Sequence, residues 1–237
     1  MVSSKKALIM KKIFYLVALV AISLLFVQNA SSQGQGKHEG HKYVDLGLLS
    51  GLKWATCNVG ATTPEEYGDY FAWGETEPKE KYSWTTYKYA TDYDQLTKYC
   101  SKSRYGKDGF TDSKTVLDPE DDAATVNWGG KWRMPTKEEQ YELHVNCTWV
   151  WTTENYVQGY RVTSNIEGYT DRSIFLPASG LKIGSSRSGV DEYGYYWSST
   201  RAPDQNCALV LTFGSHYIAN NFDVSRAKGC SVRAVFK

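Results

Sequence analysis

Histidines, cysteines and acidic residues are the side chains of this sequence that could do chemistry. The four histidines are His38, His41, His144 and His216, and none lies in a His-Glu-x-x-His pair that would bind zinc. No Gly-x-Ser-x-Gly segment marks an activated serine. An acid pair for glycoside hydrolysis stays an open alternative, because 26 Asp and Glu are present and the sequence does not give their separation in the fold. We predict no catalytic residue, no cofactor and no metal.

The cysteines suggest one disulfide bridge. Apolar residues alternate from Cys207 to Phe213 and from Cys230 to Phe236, which is the period of a strand with one buried face. Both sulfur atoms are expected on the core face, so we predict a Cys207–Cys230 bridge, which a secreted chain permits. Three further cysteines are predicted as buried thiols: Cys57, Cys100 and Cys147.

An acidic run at Glu120, Asp121 and Asp122 admits two interpretations. Carboxylates are ligands that calcium prefers. However, the run follows Asp118 and Pro119, and acids after a proline are typical of the first turn of a helix, where they face the positive end of its dipole. No EF-hand spacing of acids follows. We therefore favour a helix start over a calcium site.

Short helices followed by strands predict an α+β domain. The pattern of a capping residue followed by acids predicts helix starts at Thr63 and Thr136 as well as at Asp118, and the Thr136 helix is expected to reach about Val145. An aromatic content of 14% together with 20 Gly favours a turn-rich β protein. Strands are predicted at two short pieces within Tyr43–Val59 and at Trp149–Thr152, Tyr160–Thr163, Ser173–Leu176, Tyr195–Ser199, Cys207–Phe213, Tyr217–Phe222 and Ser231–Phe236.

The amino terminus has the pattern of a cleaved signal peptide. Four lysines precede an apolar run from Ile13 to Val27, and small residues follow at Ala30–Ser32. The run is shorter than the roughly 20 residues of a transmembrane anchor, which is the alternative. We predict a signal peptide over residues 1–32, a flexible lead-in over 33–42 and one domain over 43–237. The protein is expected to be secreted or periplasmic.

Charge excludes two classes of partner. Loss of the four leader lysines leaves 23 basic residues against 26 acids. A net charge near −3 lacks the basic face that nucleic acid requires. It also lacks the polybasic segment that binds anionic membranes, so no membrane contact is expected after cleavage.

Six segments in a fixed order carry a family resemblance. They are Tyr43–Leu48, Gly51–Ala61, Leu117–Ala124, Trp132–Thr136, Phe175–Gly180 and Tyr195–Ser199. Together they resemble the Fibrobacter succinogenes major paralogous domain, a family of secreted bacterial proteins, over about residues 41–236. The resemblance implies a C-type-lectin-like fold, related to formylglycine-generating enzymes, with short N-terminal helices and a twisted, mainly antiparallel sheet. It also supports the Cys207–Cys230 bridge.

An enzymatic role is the weaker implication of this resemblance. The segment Arg133–Glu139 is similar to one in formylglycine-generating enzymes, which hold copper with two closely spaced cysteines. Here Cys207 and Cys230 are far apart in the sequence and no cysteine lies between them. We therefore predict that the protein is not an enzyme.

The resemblance places a ligand-binding face between Thr200 and Lys228. No Glu-Pro-Asn or Gln-Pro-Asp phrase of a calcium-dependent sugar site occurs there. The segment predicts a secreted binding module for a protein or a surface glycan; the alternatives are a structural or adhesive surface component and an enzyme. The predicted binding residues are Arg201, Asp204, Gln205, Asn206, His216, Tyr217, Asn220, Asn221, Asp223 and Arg226.

Overall fold

The computed structural model describes residues 34–237, so the predicted signal peptide over residues 1–32 lies outside the described residues. Two α-helices occur among them, α1 (Ala123–Trp128) and α2 (Lys137–Val145). The strands are β1 (Gln35–His38), β2 (His41–Asp45), β3 (Lys53–Ala55), β4 (Cys147–Glu154), β5 (Val157–Ser164), β6 (Ser173–Pro177), β7 (Leu181–Ile183), β8 (Ser186–Ser188), β9 (Tyr193–Arg201), β10 (Cys207–Gly214), β11 (Tyr217–Ser225) and β12 (Val235–Phe236).

The strands form four small sheets rather than one large sheet. Their orders are β1-β2-β3-β12, β4-β5-β6, β11-β10-β9 and β7-β8, and every pairing between named strands is antiparallel. The protein is thus mainly β, with few short helices. This confirms the prediction that the strands pair antiparallel, but they form several small sheets where one sheet was expected.

Helix α2 forms where its capping pattern predicts it. The Thr136 side chain accepts a hydrogen bond from the backbone N–H of Glu139 at 3.3 Å, and the Glu139 carboxylate accepts from the Thr136 N–H at 2.8 Å. This reciprocal pair satisfies two N–H groups that a helix start leaves free. The helix ends at Val145, as expected.

The acidic run also serves as a helix start, although the cap of the α-helix is Asp122, four residues after the Asp118 cap that Pro119 suggests. Residues Pro119–Asp121 form a single 3₁₀ turn, and α1 begins after Asp122. The Asp122 carboxylate accepts from the N–H groups of Ala124 at 2.9 Å and Thr125 at 3.0 Å.

The helix predicted at Thr63 is wrong. The Glu66 carboxylate accepts from the N–H groups of Thr62 and Thr63 at 2.6 and 3.2 Å, so the expected cap contacts close only a turn. Gly68 follows with a φ of +68°. A Cβ there would lie 2.4 Å from the Val59 carbonyl oxygen, so close backbone approach ends the element before a second turn forms.

The structure differs from the prediction of a flexible lead-in over residues 33–42. Residues 35–45 form the β1–β2 hairpin, which joins the sheet through β3. The His38 ring stacks on Phe236 with centroids 4.4 Å apart, and His41 stacks on Trp128 at 3.9 Å. These contacts bury apolar ring surface, which is why the segment is ordered against the domain.

Buried tryptophans form the centre of the fold. Trp54, Trp73, Trp132 and Trp197 are each at most 1% exposed. The indole N–H of Trp73 donates to the Ser198 carbonyl at 2.9 Å, and that of Trp197 donates to the Phe71 carbonyl at 2.7 Å. Hydrogen bonding of these donors removes most of the cost of burying them.

Strand β10 is buried on both faces rather than on one. Val210 belongs to one apolar cluster, while Leu211 and Phe213 belong to a second. The β11-β10-β9 sheet therefore lies between two cores, and the alternation read from the sequence does not separate a core face from a solvent face.

The predicted disulfide is wrong, because Cys207 and Cys230 are both free thiols. Ser231, which follows Cys230, bridges Tyr196, and Tyr196 pairs with Leu211. Leu211 lies four residues beyond Cys207 along β10, which is about 13 Å of strand. A disulfide requires Cα atoms within about 7 Å. Cys207 begins β10, whereas Cys230 lies outside the named strands in an isolated bridge to Phe71, at a different level of the fold.

Candidate functional site

Three of the predicted binding residues are structural. Arg226 is fully buried, donates from Nη2 to the Tyr99 carbonyl at 2.7 Å and lies over the Trp73 ring at 4.9 Å. Burial lowers the pKa of Arg226. Gln205 is 1% exposed, and its side-chain oxygen accepts from the Ser101 N–H at 2.7 Å.

Asn220 is the third buried member of that set. Its side-chain nitrogen donates to the Gln140 carbonyl of α2 at 3.1 Å, and its side-chain oxygen contacts Nδ1 of His144. Asn220 therefore holds β11 against α2 and is not available to a ligand.

The remaining predicted residues divide into two groups along β10. Arg201, Asp204, Asn206 and Asp223 lie near Cys207, where burial and the neighbouring Asp204 raise the pKa of Asp223. Asn221 is exposed on β11. His216 lies in the turn after Gly214 and Tyr217 begins β11, both at the opposite end of β10. An eight-residue strand spans about 23 Å, so these residues do not form one site.

A groove forms at the His216 end. It is lined by Trp151 and Gln158 of the β4–β5 hairpin, by residues 191–193, and by residues 214–217. We call this the tip groove. It encloses about 660 Å³, which is within the range of small-ligand and side-chain pockets.

Three aromatic side chains give the tip groove its shape. Trp151 packs against the buried Tyr160 ring at 5.1 Å, which holds its indole in place. The Tyr193 and Tyr217 rings lie 6.4 Å apart, and they are 37% and 44% exposed. The three partly exposed rings lie on well-packed strands. They therefore present apolar area to a ligand and lose little conformational entropy when it binds.

Gly214 permits the two tyrosines to approach each other. It pairs with Tyr217 of β11 and with Tyr193 of β9. A Cβ at Gly214 would lie 2.9 Å from the Tyr217 ring and 3.1 Å from the Tyr193 ring. The tyrosine pair therefore depends on the absence of a side chain at this position.

Two acids line the same groove on the turn before β9. Asp191 has a φ of +62°, and its carboxylate accepts from the Tyr67 hydroxyl at 2.7 Å and from the Gln158 N–H at 3.3 Å. These bonds join the turn to the β4–β5 hairpin. Burial and the hydrogen bond to Asp191 raise the pKa of Tyr67.

The charge of these acids is not neutralised by a neighbouring ion pair. None of the ion pairs within residues 34–237 includes Asp191 or Glu192. The nearby Arg187 guanidinium lies 6.0 Å from the centre of the Tyr67 ring instead. The tip groove therefore combines exposed aromatic faces with negative charge.

A second group of acidic side chains, unlike the first, is paired with a lysine of the chain. Asp118, Glu120 and Asp121 bring carboxylate oxygens close enough to one another to hold a metal ion. The Lys98 ammonium lies among them, 2.6, 3.4 and 2.5 Å from the three carboxylates in that order. We call this the Asp121 cluster. Its cation is supplied by the chain itself.

Phenols complete the Asp121 cluster. Asp121 is 1% exposed and accepts from the hydroxyls of Tyr89 and Tyr99, the second at 2.7 Å. Burial acts to raise the pKa of Asp121, but hydrogen bonds from Lys98 and the two phenols outweigh it and leave that pKa below its ordinary value.

The histidines have packing contacts. His144 Nδ1 contacts the Asn220 side chain, and the His38 and His41 rings stack on Phe236 and Trp128. His216 lines the tip groove. In the described part of the chain it has no hydroxyl or thiol hydrogen-bonded to it that could act as a nucleophile.

Sequence reasoning found His216 and Tyr217 but missed Trp151, Asp191, Glu192 and Tyr193. The missed residues belong to two other segments and to no motif. The one available signal was the acidic and aromatic turn that follows Gly189, since such turns lie at the surface and often carry function.

Comparison with known proteins gives no relative: no family model, no curated protein and no solved structure matches the chain. Within residues 34–237, none of the helices has the length and apolar character needed to cross a membrane.

Proposed function

We propose that this protein is a secreted, non-catalytic binding module that recognises a protein or a surface glycan through the tip groove. The observation that carries the proposal is the groove itself, in which Trp151, Tyr193 and Tyr217 present partly exposed rings beside polar groups. Aromatic anchors with adjacent hydrogen-bonding groups are the usual composition of a recognition surface. Two of its residues, His216 and Tyr217, come from the segment that the family resemblance marks as ligand-binding.

The family and the C-type-lectin-like fold remain part of this proposal. What supports them is the placement of the shared segments in the core: Trp54, Trp132 and Trp197 come from three of these segments, and all are buried. The antiparallel pairing of the strands is compatible with such a fold. Secretion rests on the signal-peptide pattern of residues 1–32.

A non-catalytic role is supported by how the ionisable groups are used. The buried acids Asp121 and Asp122 bind lysine, phenol and backbone donors. His144 contacts an amide. Groups engaged in this way have no free position for a substrate.

A glycan array and a panel of purified surface proteins, probed with the purified protein and with Tyr217→Ala, test the proposal. Tyr217 is 44% exposed, so its removal is expected to abolish binding and leave the melting temperature within about 2 °C of the parent. Tyr141→Ala is the matched control, since Tyr141 is 57% exposed on α2 and does not line the groove.

Retention of every bound ligand by folded Tyr217→Ala would remove the groove from the function. Asn220 is unsuitable for this test, because its loss breaks the contact between β11 and α2.

A further inference from the structure

The tip groove has the chemistry of a site for a positively charged group. Its two carboxylates, Asp191 and Glu192, lie on a turn directly before Tyr193. The only basic side chain that lines the groove is His216. A cation entering the groove would meet negative charge with which no lysine or arginine of residues 34–237 forms an ion pair.

The aromatic lining adds a second attraction of the same sign. The faces of Trp and Tyr rings carry the negative part of the ring quadrupole, and they attract ammonium or guanidinium groups within about 6 Å of the ring centre. Tyr193 and Tyr217 are tilted by 40° relative to each other. Both rings are partly exposed, so a flat guanidinium can lie against one of them while its N–H groups face a carboxylate.

Elsewhere in the fold, the same combination of carboxylate and aromatic rings binds a lysine of the chain itself. Lys98 lies 5.8 Å from the Tyr89 ring and 5.1 Å from the Tyr99 ring while contacting the Asp121 carboxylate. The tip groove has the aromatic and acidic components of that arrangement without the lysine.

We propose that the tip groove binds arginine or lysine side chains displayed by a protein partner. This rests on the proposed function, because it specifies the ligand of the same groove. Asp191 is already hydrogen-bonded to Tyr67 and Gln158, so it fixes the turn and adds charge. Glu192 is the exposed carboxylate that contacts the guanidinium.

The test uses isothermal titration calorimetry with three probes: N-acetyl-tetraarginine amide, the neutral isostere N-acetyl-tetracitrulline amide, and the neutral sugar cellotetraose. Tetraarginine is expected to bind and tetracitrulline is not. Glu192→Gln is expected to weaken tetraarginine binding about tenfold. Higher salt is expected to weaken it as well, since exposed charges are screened.

Matched variants separate the groove from general surface charge. Glu167→Gln removes one exposed acid outside the groove, and Tyr141→Leu removes one exposed ring outside it; both are expected to bind tetraarginine like the parent. Tyr217→Leu is expected to lose that binding. Circular dichroism of each variant establishes that it is folded.

The outcomes distinguish this inference from the wider proposal. Equal binding of tetracitrulline and tetraarginine, or no effect of Glu192→Gln, overturns the cationic ligand. Binding of cellotetraose that Tyr217→Leu abolishes, with no tetraarginine binding at millimolar concentration, overturns it too and leaves a recognition groove for glycans. Tetraarginine binding that survives in folded Tyr217→Leu contradicts both.

Discussion

The Asp121 cluster and the tip groove contain the same kinds of side chain in different states of completion. In the Asp121 cluster, Lys98 contacts three carboxylates and two phenols donate to Asp121. In the tip groove, Asp191 and Glu192 lie beside Tyr193 and Tyr217 without an ion pair in the described chain.

The difference separates charge that is paired inside the fold from charge that is left exposed at the surface. A buried carboxylate must have partners, because an isolated charge away from water is costly. Exposed carboxylates are stabilised by water and keep their capacity for an outside partner. Acidic residues near aromatic rings are therefore candidates for a ligand site only where the chain has not supplied the cation.

The largest effect is expected from Asp121→Ala. This variant leaves Lys98, Tyr89 and Tyr99 without their shared acceptor. Breaking a buried ion pair on one side costs about 3–5 kcal/mol, so the free energy of unfolding in urea should fall by that amount. Asp171→Ala, at an exposed acid, is the control. A loss under 1 kcal/mol would mean that the Asp121 cluster does not stabilise the fold.

Lys98→Met is expected to destabilise the protein by about 2–3 kcal/mol at pH 7, with a characteristic pH dependence. The folded-state pKa values of Asp118 and Asp121 are lowered. Their stabilisation is therefore complete above the unfolded pKa of about 3.9 and is lost as pH falls through the lower folded values.

The stability difference between the parent and Lys98→Met should consequently shrink as pH falls below about 4 and through the lowered folded-state pKa values of the two acids, because a protonated acid no longer needs the ammonium. Urea denaturation at pH 7 and pH 3 measures this change. A difference of the same size at both values would assign the effect of Lys98 to packing of its aliphatic chain rather than to charge.

Gly214→Ala tests how the aromatic part of the tip groove is built. The added Cβ would lie 2.9 Å from the Tyr217 ring and 3.1 Å from the Tyr193 ring. Separation of the two rings should cost about 1–2 kcal/mol of stability and abolish ligand binding. Ser186→Ala, at an exposed position of β8 outside the groove, is the control, with binding by calorimetry as the measurement. Unchanged binding in Gly214→Ala would show that the spacing of the tyrosines is unimportant.

The smallest effect is expected from Glu192→Gln on stability. An exposed acid without an ion pair contributes little to folding, so the free energy of unfolding should stay within about 0.5 kcal/mol of the parent. Glu192→Gln should change the free energy of ligand binding more than it changes the free energy of unfolding. A substantial loss of stability would place Glu192 with the structural acids and remove the contrast between the two regions.

Local patterns were read correctly where neighbouring residues carry the whole interaction. The capping pair Thr136 and Glu139 is three residues apart, and α2 begins and ends where predicted. The predictions at Thr63 and at Cys207–Cys230 failed because they depend on distant chain: Gly68 packs against Val59, and Cys230 lies at a different level of the sheet from Cys207.

The sequence by itself determined the short capped helix, most of the strands and the aromatic character of the core, since these follow from the type and period of adjacent residues. Only the tertiary structure decided which acids are neutralised, because Lys98 reaches Asp121 across 22 intervening residues. The tertiary structure also forms the tip groove. Residues from three separate segments line it, because strands β4, β9 and β11 pack around Phe213 and Gly214. Local composition does not predict such contacts between distant residues, because they depend on how the sheets pack.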